Sequence, residues 1–133
     1  MSPYDRNQTI DQNIIKALEQ LPKVMFNNQN KEVTIRAFAR KETGEEHIAV
    51  TTHGLQVRDI ALIKKAIKTP EFVCEDPNNY RKKNYYVRRL GKHGNKNRNK
   101  GIYLKVVTHI KRDKNEEIVT VFPTNSIKTL KSK

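Results

Sequence analysis

Cysteine and long apolar runs are the two features that this sequence most clearly lacks. Cys74 is its single cysteine and has no Cys or His neighbour at ligand spacing, which excludes an internal disulfide and argues against a zinc site. No segment approaches the ~20 apolar residues of a membrane-spanning helix, and the segment Met1–Gln12 lacks the apolar centre of a secretory signal. We therefore expect a cytoplasmic protein without membrane contact, metal or cofactor; release as an effector is the alternative.

Acidic residues are absent from one long part of the chain. The window Pro77–Arg112 holds twelve Lys and Arg residues and no Asp or Glu, so it supplies twelve of the thirteen net positive charges of the chain. Solubility alone would spread the excess charge, whereas a concentrated field of one sign indicates a polyanionic partner. Tyr and Asn residues are interleaved with these charges, as phosphate contacts combined with base stacking require. We expect a nucleic acid partner, with a solvated basic surface as the alternative.

Hydrophobic periodicity predicts an α+β domain. Apolar residues at helical spacing predict two amphipathic helices, Thr9–Leu21 and Val57–Lys68, each followed by a proline. Alternating apolar and polar residues predict strands at Val33–Arg40, His47–Thr52, Asn84–Leu90, Ile102–Lys111 and Glu117–Phe122, with a short one at Phe72–Cys74. The first two strands are expected to form a hairpin. This order predicts an N-terminal helix and a second helix packed on a mostly antiparallel sheet of about four to five strands, in one domain over 1–133 with frayed ends at 1–8 and 126–133.

Motifs of the common metal-dependent and nucleotide-binding enzymes are also absent from the sequence. Carboxylates are scarce in the basic half, so a nuclease of this chain would work without metal. Such RNA cleavage needs a base for the 2′-hydroxyl, an acid for the leaving oxygen and cations around the phosphorane. His53, beside Gly54 at a strand-to-helix junction, is the best candidate for the base; a surface loop histidine is an equally good interpretation.

Two strands of the basic window place polar residues on one side. Lys105 and His109 share one face of the second strand, with a solvated sheet face as the alternative interpretation. In the first strand we favour Arg88 over Arg89, because Tyr86 lies on the same face as Arg88. A loop rich in Gly, Asn and Lys joins the two strands. The nucleic acid contacts expected from this window are Arg81, Lys82, Lys83, Tyr86, Lys92, Lys96, Arg98, Lys100, Tyr103 and His109.

The last predicted strand carries a resemblance to a known family. It reads Ile-Val-Thr-Val-Phe-Pro-Thr from residue 118 to 124. A hydroxyl-bearing strand that ends in an aromatic-Pro step resembles the closing strand of the barnase/EndoU/colicin/RelE-like nuclease superfamily. Its members are small metal-independent ribonucleases, many of them toxins or effectors of phages and mobile elements. The element order over roughly 33 to 124 is similar, and the step Pro70–Val73 looks like that of phage-associated members.

The resemblance implies a function and a set of site residues. His53 would be the general acid or base, Arg88 or Lys105 would contact the phosphate, and the hydroxyl groups of Thr120 and Thr124 would position it. For Thr120, a β-branched strand former is the alternative. The expected function is a metal-independent toxin-type endoribonuclease acting on RNA by 2′-hydroxyl attack, with an acidic antitoxin or immunity protein as a further partner. A non-catalytic RNA- or DNA-binding module is the alternative.

Overall fold

The computed structural model of this chain describes residues 11–35, 54–76, 79–89 and 101–125. These residues form the helices α1 (Gln12–Glu19) and α2 (Val57–Lys68) and the strands β1 (Met25–Phe26), β2 (Glu32–Ile35), β3 (Phe72–Asp76), β4 (Asn79–Arg88), β5 (Tyr103–Ile110) and β6 (Glu116–Thr124). The α+β class is confirmed. The sheet has six strands, slightly more than the four to five expected.

At the start of each helix, a side chain accepts hydrogen bonds from backbone N–H groups that have no partner within the helix. The carboxylate of Asp11 accepts hydrogen bonds from the backbone N–H of Asn13 at 2.9 Å and of Ile14 at 3.3 Å, so α1 has an aspartate cap. In α2, the side chains of Gln56 and Asp59 form a reciprocal capping box. α2 has the bounds expected from its apolar periodicity. α1 is shorter than the expected helix Thr9–Leu21, because Asp11 is extended and caps it and its last helical residue is Glu19.

The strands form one mixed sheet in the order β1-β2-β6-β5-β4-β3. Four of the five neighbouring pairs are antiparallel, and β2 with β6 is the parallel pair. β1 was not expected from the sequence, because two residues show no periodicity. Within the described residues β2 pairs with β1 and β6; the strand His47–Thr52 that was expected beside it lies outside them.

The main core lies between the helices and one face of the sheet, which we call the core face. Buried residues of α2, such as Ile63 and Ile67, pack in one cluster with the strand residues Val87, Leu104 and Val106. Burial of such side chains is the principal favourable contribution to folding. None of the described helices is both long and apolar enough to span a bilayer.

Because side chains alternate along a strand, the remaining residues of β3 to β6 point to the other side of the sheet. We call this side the basic-aromatic face. It is formed by Phe72 and Cys74 of β3, Lys82, Asn84, Tyr86 and Arg88 of β4, Tyr103, Lys105, Val107 and His109 of β5, and Glu117, Thr120, Phe122 and Thr124 of β6, where a register shift between Val107 and Thr108 places Glu117 opposite His109.

Candidate nucleic-acid interface

The strand register brings three of the four residues of the predicted catalytic set to the basic-aromatic face. Arg88 lies on β4, Lys105 on β5 and Thr120 on β6, three neighbouring strands. The fourth residue, His53, lies outside the described residues. The predicted loop contacts Lys92, Lys96, Arg98 and Lys100 also lie outside them.

The first cross-strand row of this face combines a cation, an aromatic ring and a hydroxyl group. Arg88 is paired in register with Tyr103, and Tyr103 with Thr124. The guanidinium carbon of Arg88 lies 5.3 Å from the centre of the Tyr103 ring. Arg88 is exposed, and the other two residues are half-buried. A guanidinium that rests on a ring is held in place by cation–π attraction, and its edge can still donate hydrogen bonds to a phosphate.

The second row places a lysine between two rings. Lys105 is paired with Tyr86 on one side and with Phe122 on the other. Its ammonium nitrogen lies 5.8 Å from the centre of the Tyr86 ring and 5.3 Å from that of Phe122. Tyr86 itself is 0% exposed, so its ring cannot stack on a base in this conformation. Tyr86 supports Lys105, and we remove it from the candidate interface.

The third and fourth rows carry Thr120 and His109. Thr120 is paired with Val107, which separates Lys105 from His109 along β5, so Thr120 is a diagonal neighbour of Lys105. His109 is paired with Lys82 on β4 and is half-buried, as are Lys82 and Thr120. Thr120, Lys105 and His109 therefore lie on one face, with the apolar Val107 between the lysine and the histidine and the acidic Glu117 paired with the histidine.

Lys83 does not belong to this surface. It lies on the core face and is 7% exposed, and its ammonium nitrogen is 3.3 Å from the carboxylate of Glu116. It also donates a hydrogen bond to the side chain of Gln29 at 3.1 Å. A buried cation with a carboxylate partner has little surface to offer a phosphate, so we remove Lys83 from the candidate interface as well. Arg81 is exposed on the same side of β4 as Lys83.

Glu116 is the centre of a buried polar network. Its side chain accepts hydrogen bonds from the Tyr85 hydroxyl at 2.6 Å, the Thr108 hydroxyl at 2.8 Å and the Asn27 amide at 3.1 Å, in addition to the contact with Lys83. Burial and the neighbouring carboxylate raise the pKa of Tyr85 above its ordinary value. Because its donors satisfy both carboxylate oxygens, this network holds β4, β5 and β6 together.

Arg89 is the second buried cation. Its guanidinium donates two hydrogen bonds to the carboxylate of Asp59 on α2, at 3.0 and 2.7 Å, and a third to the carbonyl of Gly101 at 3.1 Å. Gly101 is required there, since its φ is +120° and an added Cβ would lie 2.5 Å from Pro123. Arg89 is therefore buried in the fold, whereas Arg88 is exposed and stays the predicted partner-facing residue.

Phe72 is a residue of this face that sequence reasoning missed. It is 44% exposed, and its ring centre lies 6.1 Å from that of Tyr103 at an interplanar angle of 83°. The available signal was the aromatic residue in the short predicted strand after Pro70. Alternation in so short a strand could not show which face the ring occupies.

Among the residues described, no group of three or more His, Cys, Asp or Glu side chains could hold a metal ion. No family model, curated protein or solved structure matches this chain significantly. The resemblance to the barnase/EndoU/colicin/RelE-like superfamily therefore stays a prediction, and the interface is interpreted from its own residues.

Proposed function

We propose that this chain binds single-stranded RNA across the basic-aromatic face. The observation that carries the proposal is the pair of adjacent rows in which Arg88 and Lys105 each lie against aromatic rings. Neighbouring rows on one face are about 7 Å apart, twice the rise per strand residue. This spacing lets an extended strand place successive phosphates near the two cations.

A single strand fits this surface better than a duplex does. Single-strand binding combines a positively charged surface along the backbone with aromatic side chains on which bases stack. Tyr103 and Phe72 offer rings on the same face as Arg88 and Lys105. A duplex would hide its bases from these rings and leave only phosphate contacts.

Fluorescence anisotropy with a labelled single-stranded RNA at several salt concentrations tests the proposal. The double variant Arg88→Ala/Lys105→Ala should bind roughly tenfold or more weakly, and its log–log salt slope should be smaller by about 1.4, because two phosphate contacts are lost. Duplex RNA of the same sequence should bind more weakly than the single-stranded RNA, because its bases cannot reach the rings.

The matched control is Lys64→Ala/Lys65→Ala. These two lysines are exposed on α2, on the other side of the sheet, and their removal changes the net charge by the same amount. We expect the control variant to bind almost as tightly as the original chain. Equal losses in the two double variants would mean that RNA senses only the total charge, and no binding by the original chain would refute the proposal.

RNA cleavage is a second candidate function, favoured by the common face of Arg88, Lys105 and Thr120. In this reaction a base removes the 2′-hydroxyl proton and the 2′ oxygen attacks the adjacent phosphorus. The 5′ oxygen leaves with a proton, and a 2′,3′-cyclic phosphate remains. Arg88 and Lys105 would offset the negative charge that develops on the phosphorane. His53 remains the proposed base. Among the described residues, His109 is the histidine that lies on the basic-aromatic face.

Incubating the purified chain with RNA in excess EDTA separates cleavage from binding. A metal-independent ribonuclease should leave 2′,3′-cyclic phosphate ends, detectable by mass spectrometry, and should bind 2′-O-methyl RNA without cutting it. His53→Ala should abolish cleavage and retain binding. His109→Ala should still cleave RNA if His53 is the base, and loss of cleavage in His109→Ala alone would assign the base to His109. Intact RNA in the presence of bound protein would reduce the function to binding.

A further inference from the structure

We propose that Phe72 is the base-stacking residue of a nucleotide subsite at the β3 side of the basic-aromatic face, with Arg88 at the adjoining phosphate. This proposal rests on the proposed RNA binding and specifies where one base of the strand lies.

The exposure of Phe72 differs from that of its neighbours on the same face. Phe72 is paired in register with Tyr86, and Tyr86 is fully buried. Val107 and Cys74 on this face are each 8% exposed. Phe72 is 44% exposed although it lies beside these residues. A large ring that the core does not cover is available for contact with a partner.

The arrangement of the two rings favours Phe72 over Tyr103 as the stacking surface. Tyr103 is half-buried, with the guanidinium of Arg88 5.3 Å from its ring centre and the ring of Phe72 meeting it at 83°. Tyr103 therefore has neighbours on two sides, whereas Phe72 retains an exposed surface. A base that stacks on Phe72 would have Tyr103 as a side wall, because the two rings are nearly perpendicular.

The distribution of charged residues also favours a nucleotide with its base near Phe72 and its phosphate near Arg88. β3 carries no basic residue, and Glu75 lies with Val73 on the opposite face, so the described acidic side chain next to this subsite is that of Glu71. Glu71, just before β3, accepts a hydrogen bond from the backbone N–H of Arg88 at 3.4 Å. A phosphate is therefore repelled from the β3 side and attracted to Arg88 and Lys105 on β4 and β5. The uncharged base then lies towards Phe72.

The test uses RNA oligonucleotides with a single 2-aminopurine at successive positions, since stacking on an aromatic ring quenches its fluorescence. At one position the original chain and Phe72→Tyr should quench the emission, and Phe72→Ala and Phe72→Leu should not. The affinity of both non-aromatic variants should fall roughly 5- to 100-fold. Their log–log salt slope should stay unchanged, because no charge is removed.

Val73→Ala is the matched control, since Val73 is an exposed apolar residue of the same strand on the opposite face. It should bind RNA like the original chain. An RNA with an abasic residue at the quenched position should bind the original chain and Phe72→Leu equally. Phe72→Leu keeps an apolar side chain, so it preserves the test if Phe72→Ala unfolds.

The outcomes separate this proposal from the proposed function. If the original chain binds no RNA, both proposals fail. If RNA binds and Arg88→Ala/Lys105→Ala weakens it, but Phe72→Leu retains the affinity and the quenching, the Phe72 subsite is refuted and RNA binding stands.

Discussion

Arg88 and Arg89 are neighbours in the sequence, yet they lie in opposite environments. Arg89 is 7% exposed and donates two hydrogen bonds to Asp59. Arg88 is exposed, and its guanidinium rests on the ring of Tyr103. The alternation of a strand sends the two side chains to opposite faces. A basic residue of the acid-free window thus stabilises the fold if it pairs with a buried carboxylate from another part of the chain. It can contact a partner if it is exposed and lies against an aromatic ring.

Lys83 on β4 and Lys105 on β5 show the same contrast between a buried and a partner-facing cation. The ammonium group of Lys83 contacts the carboxylate of Glu116, whereas that of Lys105 lies near the rings of Tyr86 and Phe122. Two of the twelve cations of the window, Lys83 and Arg89, are therefore neutralised by acids that lie outside it. Charge counted along the sequence overstates the field that a partner meets.

The largest effect that we predict is on stability, from Glu116→Ala. The substitution leaves Lys83 as a buried cation without its carboxylate and removes the acceptor of Tyr85 and Thr108. We expect the free energy of unfolding to fall by about 4 kcal/mol, measured by urea denaturation. Glu32→Ala, at an exposed position of β2, should change it by less than about 0.5 kcal/mol. A loss below about 1 kcal/mol for Glu116→Ala would show that the network contributes little.

Arg89→Ala should have the next largest effect. It leaves the buried Asp59 carboxylate with its hydrogen bond from the backbone N–H of Gln56 but without the guanidinium. We expect the free energy of unfolding to fall by about 3 kcal/mol. Arg88→Ala should change it by less than about 0.5 kcal/mol and should weaken RNA binding. If the two alanine variants lose equal stability, the contrast between the neighbouring arginines is wrong.

Tyr85 makes the stability of the core face depend on pH in the alkaline range. Its pKa is raised in the folded chain, so the unfolded chain loses the phenolic proton first as pH rises. The contribution of Tyr85 is therefore complete below about pH 10, the ordinary pKa of tyrosine, and decreases above it. The free energy of unfolding should fall by about 1.4 kcal/mol per pH unit from this group.

Tyr85→Phe isolates this dependence. The variant should be less stable at neutral pH, because it loses the hydrogen bond to Glu116, but its stability should decline less steeply above pH 10 than that of the original chain. Chemical denaturation between pH 8 and 11 measures both slopes. If the free energy of unfolding falls with the same slope above pH 10 in both proteins, Tyr85 is not the group that causes the decrease.

The sequence predicted local structure better than it predicted burial. The bounds of α2 follow from its own periodicity, and strand alternation placed Arg88 and Lys105 on faces that carry other polar residues. The burial of Lys83 could not be predicted, because its partner Glu116 is 33 residues away and on another strand. Alternation also predicts one buried residue in the pair Tyr85 and Tyr86, whereas both are 0% exposed. The second burial depends on the neighbours of Tyr86 on β3 and β5, Phe72 and Lys105.

The smallest predicted effect comes from the same conservative change at the two neighbouring arginines. Arg88→Lys keeps the charge but loses the planar group on Tyr103, so RNA affinity should fall roughly two- to fivefold, since such a contact contributes about 0.5–1 kcal/mol at an exposed site. The salt slope and the free energy of unfolding should not change. Arg89→Lys should instead reduce stability, because a lysine cannot donate both hydrogen bonds to Asp59 in the same geometry. Anisotropy titrations and urea denaturation of the two variants measure both quantities. If Arg88→Lys lowers stability, or if Arg89→Lys lowers only RNA affinity, then Arg89 is not the arginine that stabilises the fold and Arg88 is not the one that contacts RNA.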